Sequence, residues 1–263
     1  MNQQAVSPTL DSFQKLLDSV YVMEQSFDGV TVRGALVLGA HRALIFDTLI
    51  YPQEINKFLP LCSDRELIVV YSHADWDHIW GTCGLSPSYV LAHEECSKRF
   101  RNLEDVEKTL IDYRVKHDEE LAQIKLVPPQ RTFESNMTLD LGGITVELRH
   151  CPGHTKDSIL AIAPERALLL GGDCIEAPLP LLNEGSDNLL RWIGVLSEME
   201  LDARITTCVP SHGEIGGREI LTNNIRYLKS LLLTDSASPP GLDDFYSAGH
   251  KANRSKAASL RNS

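Results

Sequence analysis

The chain predicts an α/β fold, and three features carry that expectation. Short apolar runs rich in β-branched residues alternate with stretches of helical period. They come in two rounds, β-rich then helical, without a strict repeat. Four of the strand-like runs end in polar turns that carry His or Asp, and strand ends along one sheet edge are where rigid scaffolds hold functional loops.

The first round holds strands at residues 20–24, 30–38 and 42–47, separated by Gly29 and Gly39. A helix is expected at 53–61, then strands at 67–71 and 89–92. Residues 94–124 turn helical: Leu103, Val106, Leu110, Tyr113 and Leu121 mark one apolar face among many charges. Pro128-Pro129 closes that stretch. The second round places strands at 144–149, 159–163, 167–170 and 205–209, with a helix at 189–199 and a last one near 217–232. Residues 1–19 read as an N-terminal segment, 20–235 as one domain and 236–263 as a flexible tail. The tail opens on Pro239-Pro240-Gly241 and continues Ser/Ala-rich, with Lys251, Arg254, Lys256 and Arg261 and no acid after Asp244.

Composition narrows the function. A hydrophobic share of 43% and a charged share of 23% over 263 residues are ordinary for a soluble protein with ample core. A formal charge of −11 argues against a nucleic-acid partner, because phosphate backbones are bound by clustered Lys and Arg. The six cysteines are scattered and form no C-x-x-C pair, which fits reduced thiols better than a disulfide scaffold. Residues 1–10 lack the basic start and apolar core of an export signal, and no apolar run approaches the ~18 residues of a membrane span. The expectation is a cytoplasmic protein with a small-molecule substrate and no membrane or nucleic-acid partner. Its oligomeric state stays open, a homodimer included.

The densest chemistry lies in His73-Ala74-Asp75-Trp76-Asp77-His78, directly after the apolar run Leu67-Ile68-Val69-Val70-Tyr71. Imidazole nitrogens and carboxylate oxygens suit zinc, iron or manganese, and a tight loop aims several at one point. Three further turns repeat the arrangement. Cys151-Pro152-Gly153-His154-Thr155, Gly171-Gly172-Asp173 and Pro210-Ser211-His212-Gly213 each follow a strand-like run.

With these motifs the chain resembles the metallo-β-lactamase-fold hydrolase superfamily, which includes glyoxalase II enzymes, lactonases and flavodiiron proteins. The resemblance covers roughly residues 20–232, with Asp47 and the Asn224 and Tyr227-Leu228 helix included. It implies a four-layer αβ/βα sandwich: two mixed sheets face to face, helices outside, and a dinuclear metal site at one edge. Carried over position by position, one metal is held by His73, Asp75 and His154. The other is held by Asp77, His78 and His212, with Asp173 bridging and Asp47 orienting the ligand loop.

One position departs from the family pattern His-x-His-x-Asp-His, since Asp75 stands at the second histidine. Ligation through the Asp75 oxygen is the favoured reading, and flavodiiron proteins are similar in using Glu there. A third carboxylate lowers the charge of the centre by one and leaves the metal open: zinc first, with iron or manganese accepted. The resemblance implies hydrolysis of an ester, thioester or lactone by metal-activated water, with Asp77 or a metal-bound water passing the proton to the leaving group. The rival readings are a di-iron redox enzyme and a non-catalytic metal-binding module. Lys156, Trp76 and Trp80 are candidates for substrate contact; Lys156 reads more readily as a surface lysine, and the two tryptophans equally well as core packing.

Overall fold

The computed structural model describes residues 13–27, 29–183, 188–233 and 238–261. The side chains of Leu103 and Asp118 are outside that description, as are residues 1–12 of the expected N-terminal segment. Among the described residues two sheets form. In the first, β1 (Phe13–Leu17), β2 (Val20–Phe27), β3 (Val30–Leu38) and β4 (Arg42–Phe46) pair antiparallel in sequence order. Three strands then add parallel to β4: β5 (Glu66–Val70), β6 (Tyr89–His93) and β7 (Arg131–Phe133). Their crossovers contain α1 (Pro52–Ile55), α2 (Trp76–Ile79), α3 (Glu94–Arg101) and α4 (Lys108–Leu121).

The second sheet contains β8 (Asn136–Asp140), β9 (Thr145–His150), β10 (Ile159–Ala163), β11 (Leu168–Gly172) and β12 (Thr207–Pro210). All pairs are antiparallel except β11–β12, and that parallel pair needs the long crossover that α5 (Leu189–Leu201) supplies. The helices α6 (Glu219–Leu231) and α7 (Asp244–Arg261) follow.

Side-chain alternation explains the layers. Successive residues of a strand face opposite sides, so a strand buried on both sides reads as continuous apolar sequence. In β4 and β5, Leu44, Phe46, Ile68 and Val70 face inward and meet Leu148, Ile159, Ala161 and Leu170 of the second sheet. Ala43, Ile45, Leu67 and Val69 face outward to Ile55, Phe58, Val106 and Leu110. In the second sheet Leu160, Ile162 and Leu169 turn outward onto Trp192, Leu196, Leu221 and Leu228. Helices, sheet, sheet and helices are thus separated by three apolar layers, the four-layer sandwich expected.

Several local readings change. The helix expected at 53–61 is α1 followed by a 3-10 stretch, Asn56–Cys62, that contains Pro60, which has no N–H to continue an α-helix. The 94–124 stretch divides at Asn102, whose side chain accepts from Glu104 N at 3.2 Å and restarts the chain in a π turn, Leu103–Glu107. Strands β1, β7 and β8 were not expected. Each of them lies at a sheet edge, and β8 buries little beyond Leu139, so no apolar run marks them.

The expected flexible tail contains α7, which packs on α6 through His250, Asn253 and Ala257. Those residues share one face at helical spacing, but none is large and apolar, so the stripe is invisible to a hydropathy reading. Asn253 fastens the segment after β11: its Nδ2 donates to Pro180 O at 2.9 Å and its Oδ1 accepts from Leu182 N at 2.8 Å. Residues 236–237 and 262–263 of that tail lie outside the described residues. No described helix is long and apolar enough to cross a membrane.

Candidate metal centre

Five strands deliver the site. Asp47 follows β4, the 73–78 loop follows β5, His154 follows β9, Asp173 follows β11 and His212 follows β12. All are C-terminal strand ends on one edge of the sandwich. Backbone bonds join the sheets there: Ile159 N donates to Ser72 O at 2.9 Å, and Arg33 N donates to Ser211 O at 2.8 Å.

Two donor sets emerge. One ligand atom each from His73, His154 and Asp173 lie within 4.8 Å of one another, and so do atoms of Asp77, His78 and His212. Asp173 stands between the sets. Its Oδ2 is 3.4 Å from His154 Nε2 and 3.8 Å from His73 Nε2, while its Oδ1 is 3.4 Å from both His78 Nε2 and His212 Nε2. Asp77 Oδ2 lies 3.3 Å from His212 Nε2. Asp75 flanks the first set, with Oδ2 3.4 Å from both His73 Nε2 and His154 Nε2.

The imidazoles are oriented from behind. His154 Nδ1 donates to Leu181 O at 2.8 Å and His212 Nδ1 donates to Thr31 O at 2.6 Å. His78 Nδ1 donates to Asp47 Oδ2 at 2.9 Å, and His73 Nδ1 meets Ser72 Oγ at 2.9 Å. A carbonyl or carboxylate behind Nδ1 keeps a proton there, so that the ring, once neutral, turns its Nε2 lone pair to the centre. Asp47 is fully buried, and its Oδ1 also accepts from Ser72 N at 2.7 Å, so it holds both the ring and the loop that bears it.

This arrangement fits metal ions. His73 Nε2, His78 Nε2 and Asp173 Oδ1 are buried and have no hydrogen-bond partner, a state that buried polar atoms rarely keep unless something else completes them. Two donors bound tetrahedrally to one zinc stand about 3.4 Å apart, close to the spacings seen here.

In the metal-free protein the cluster is held by charge. Burial opposes ionisation of His78, His154, His212 and Asp173, but their neighbours outweigh it. Asp173 and Asp75 push His154 up to about 9, and His78 and His212 are raised well above the usual histidine range by Asp173 and Asp77. Against its own burial, Asp173 is held well below the usual carboxylate range by His212, His78 and His154.

The candidate substrate residues separate. Trp76 is half-buried and lines a cavity of about 710 Å³ beside Asp75, together with Arg99, Tyr113, Lys156 and Asn183. Lys156 is exposed at its edge. Trp80 is fully buried in the outer layer of the first sheet, so for this residue the expected substrate contact gives way to core packing.

Three residues escaped the sequence reading. Arg99 Nη1 lies 2.7 Å from Asp75 Oδ1, a cation that the charge count at position 75 left out. Asp157 is fully buried and accepts from Ala74 N at 2.8 Å; its place three residues after His154 was the available signal. Glu176 is buried beside the centre and pushed up to about 7 by burial and then by Asp173. Asn224 of α6 clasps its backbone through Glu176 N at 2.9 Å and Glu176 O at 2.7 Å.

The His212 turn depends on a glycine. Gly213 has φ +84, and a Cβ there would lie 1.9 Å from Ala177 O. Gly213→Ala is expected to cost about 2–4 kcal/mol through left-handed strain and overpacking, read by urea denaturation. A loss below about 1 kcal/mol would show that the turn rearranges freely.

Comparison with known proteins agrees with this fold. The family model described as "Metallo-beta-lactamase superfamily" matches residues 35–212. A metallo-beta-lactamase from Pontibacter korlensis superposes with TM-score 0.61 at 19% identity, covering 82% of this chain and 98% of that one. The metallo-beta-lactamase FIM-1 from Pseudomonas aeruginosa, in its mono-zinc form, gives TM-score 0.62 at 17% identity over 82% and 94% of the two chains. A metallo-beta-lactamase family protein from Thermus thermophilus gives 0.63 at 19% identity over 83% and 82%. Among curated proteins, avaE of Aspergillus versicolor, whose name refers to transcription, is 26% identical over 161 residues. The match takes in 57% of this chain and 45% of that relative, so the chain spans less than half the relative's length.

Proposed function

The chain belongs to the metallo-beta-lactamase superfamily, and from that membership we propose that it is a metal-dependent hydrolase of an ester, thioester or lactone. The observation that carries this reading is the set of four imidazoles, three anchored through Nδ1 by an oxygen acceptor, all presenting Nε2 to the shared Asp173. His73, His154 and Asp173, with Asp75, would hold one divalent ion; Asp77, His78 and His212, with Asp173, would hold the second. Zinc suits the donors best, and iron or manganese is accepted by two imidazoles with a carboxylate. When bound, such ions supply Lewis acidity and lower the pKa of water at the site.

The chain's own groups do the rest. Asp47, Leu181 O and Thr31 O keep the rings fixed, so little reorganisation is needed during reaction. Asp77, whose Oδ2 lies 3.3 Å from His212 Nε2, would take a proton from the attacking water and return it to the leaving group. The cavity beside Asp75 falls within the ~300–1,000 Å³ of small-molecule pockets, with Trp76 and Tyr113 for apolar groups and Lys156 and Asn183 for polar ones.

Elemental analysis of protein purified without added metal, followed by a screen of the three ester classes, tests the reading. The expected result is two divalent ions per chain and turnover that a chelator abolishes and zinc restores. A folded, fully loaded protein inert toward all three classes would overturn it. Iron-rich protein that consumes oxygen would replace it with the redox reading.

A further inference from the structure

Arg99 lies on α3, in a run of charges that the sequence presents as a solvated face, yet most of its guanidinium is occupied. One side is gripped by Asp105, with Nε 2.9 Å from Oδ2 and Nη2 3.0 Å from Oδ1. On the other side Nη1 reaches Asp75 Oδ1 at 2.7 Å and Asp157 Oδ1 at 3.2 Å. Asp157 in turn accepts from Ala74 N through Oδ2 at 2.8 Å. One side chain therefore ties together the loop that carries His73 and Asp75 and the turn that carries His154. These contacts of Arg99 include none with Asp77, His78 or His212.

The consequence falls on Asp75. With Oδ1 engaged by Arg99, Oδ2 is the oxygen that faces His73 Nε2 and His154 Nε2, and Asn183 Nδ2 donates to that same oxygen at 2.5 Å. A carboxylate side chain has more orientations than a neutral ring and brings a charge that a ring does not. A fixed cation behind it selects one oxygen and offsets part of that charge. Arginine suits this because its planar fork can serve Asp105 and Asp75 together.

We infer that Arg99 is a positioning residue for the first metal set, pinning Asp75 so that Oδ2 alone is offered to a cation. This rests on the proposed two-metal site. It makes a claim about coupling: Arg99 matters because residue 75 is an aspartate.

Cobalt(II) titration followed by visible absorption, with competition by a chelator, reads both sites without turnover. In the native chain two cobalt ions are expected; Arg99→Gln should weaken one by at least about tenfold and leave the other within about twofold. Arg99→Lys keeps the charge without the fork and should fall between. In an Asp75→His background, Arg99→Gln should change neither site, the non-additivity that marks a direct coupling. Equal weakening of both sites, or the same loss in both backgrounds, would make Arg99 merely structural and overturn the inference. If Arg99→Gln does not fold, Asp105→Asn loosens the guanidinium while leaving every proposed donor in place. It should cost the first site several-fold, and no change there would equally overturn the inference. A native chain that takes up no cobalt would instead remove the proposed function, and this inference with it.

Discussion

Asp173→Ala should lower kcat/KM by at least about 10³-fold, roughly 4 kcal/mol of transition-state stabilisation, and leave at most one metal ion per chain. Among the described residues, Asp173 is the one carboxylate within 4 Å of all four imidazole Nε2 atoms. If the proposed pair of ions is held by these donors, its removal would take a ligand from both at once. In the metal-free protein it strips the counter-charge from rings that other carboxylates only partly balance. Asp173→Asn separates these effects, because it keeps the volume and one oxygen while losing the charge. Kinetics on whichever substrate the screen identifies, with metal analysis of the same preparation, checks both. A loss below tenfold with two ions retained would mean that Asp173 is not shared.

The second large effect is on pH. His78, His154 and His212 have folded pKa values raised above the ~6.5 of an unfolded chain. Their contribution to metal-free stability is complete below about pH 6.5 and disappears as pH rises through the folded values, near 9 for His154. Asp75, Asp77 and Asp173 are lowered, so theirs is present above about pH 3.9 and lost on acidification. The metal-free protein should therefore be most stable between about pH 4 and 6.5 and weaken toward pH 9.

Metal binding runs the other way, because an imidazole must lose its proton to ligate. At pH 7 the uptake of two zinc ions should release about three protons, one from each raised histidine. Apparent affinity should rise about tenfold per pH unit for each proton displaced. Calorimetry in two buffers of different ionisation enthalpy counts the protons. Thermal melts with and without chelator, at about pH 5.5, 7 and 8.5, should show a metal-dependent gain that widens with pH. Proton release near zero would contradict the charged cluster described for the metal-free state.

Much of this was legible because chemistry and periodicity coincided. Runs such as Leu67–Tyr71 and Leu168–Leu170 are apolar on both faces, so they read as central strands, and His73, Asp75 and Asp173 sit within four residues of their ends. Arg99 was not legible. Its partner Asp75 lies 24 residues away on another element, and only tertiary packing selects that arginine from the cations around it. Helix α7 was missed for a related reason: the buried positions of its inner face are His250, Asn253 and Ala257, with Tyr246 and Leu260 only partly buried at its ends, so hydrogen bonds do much of the fastening and the apolar stripe is thin. Edge strands such as β8 follow the same rule, being half solvated and so barely patterned.

The segment from Pro180 to Asn183 is gripped from two directions. Asn253 of α7 holds its backbone on one side, and on the other Leu181 O accepts from His154 while Asn183 donates to Asp75. Four residues thus link the last described helix to two of the proposed donors. Slack introduced at the helix alters the statistical weight of the donor geometry, so the fine adjustment of this centre extends to positions that never approach a cation.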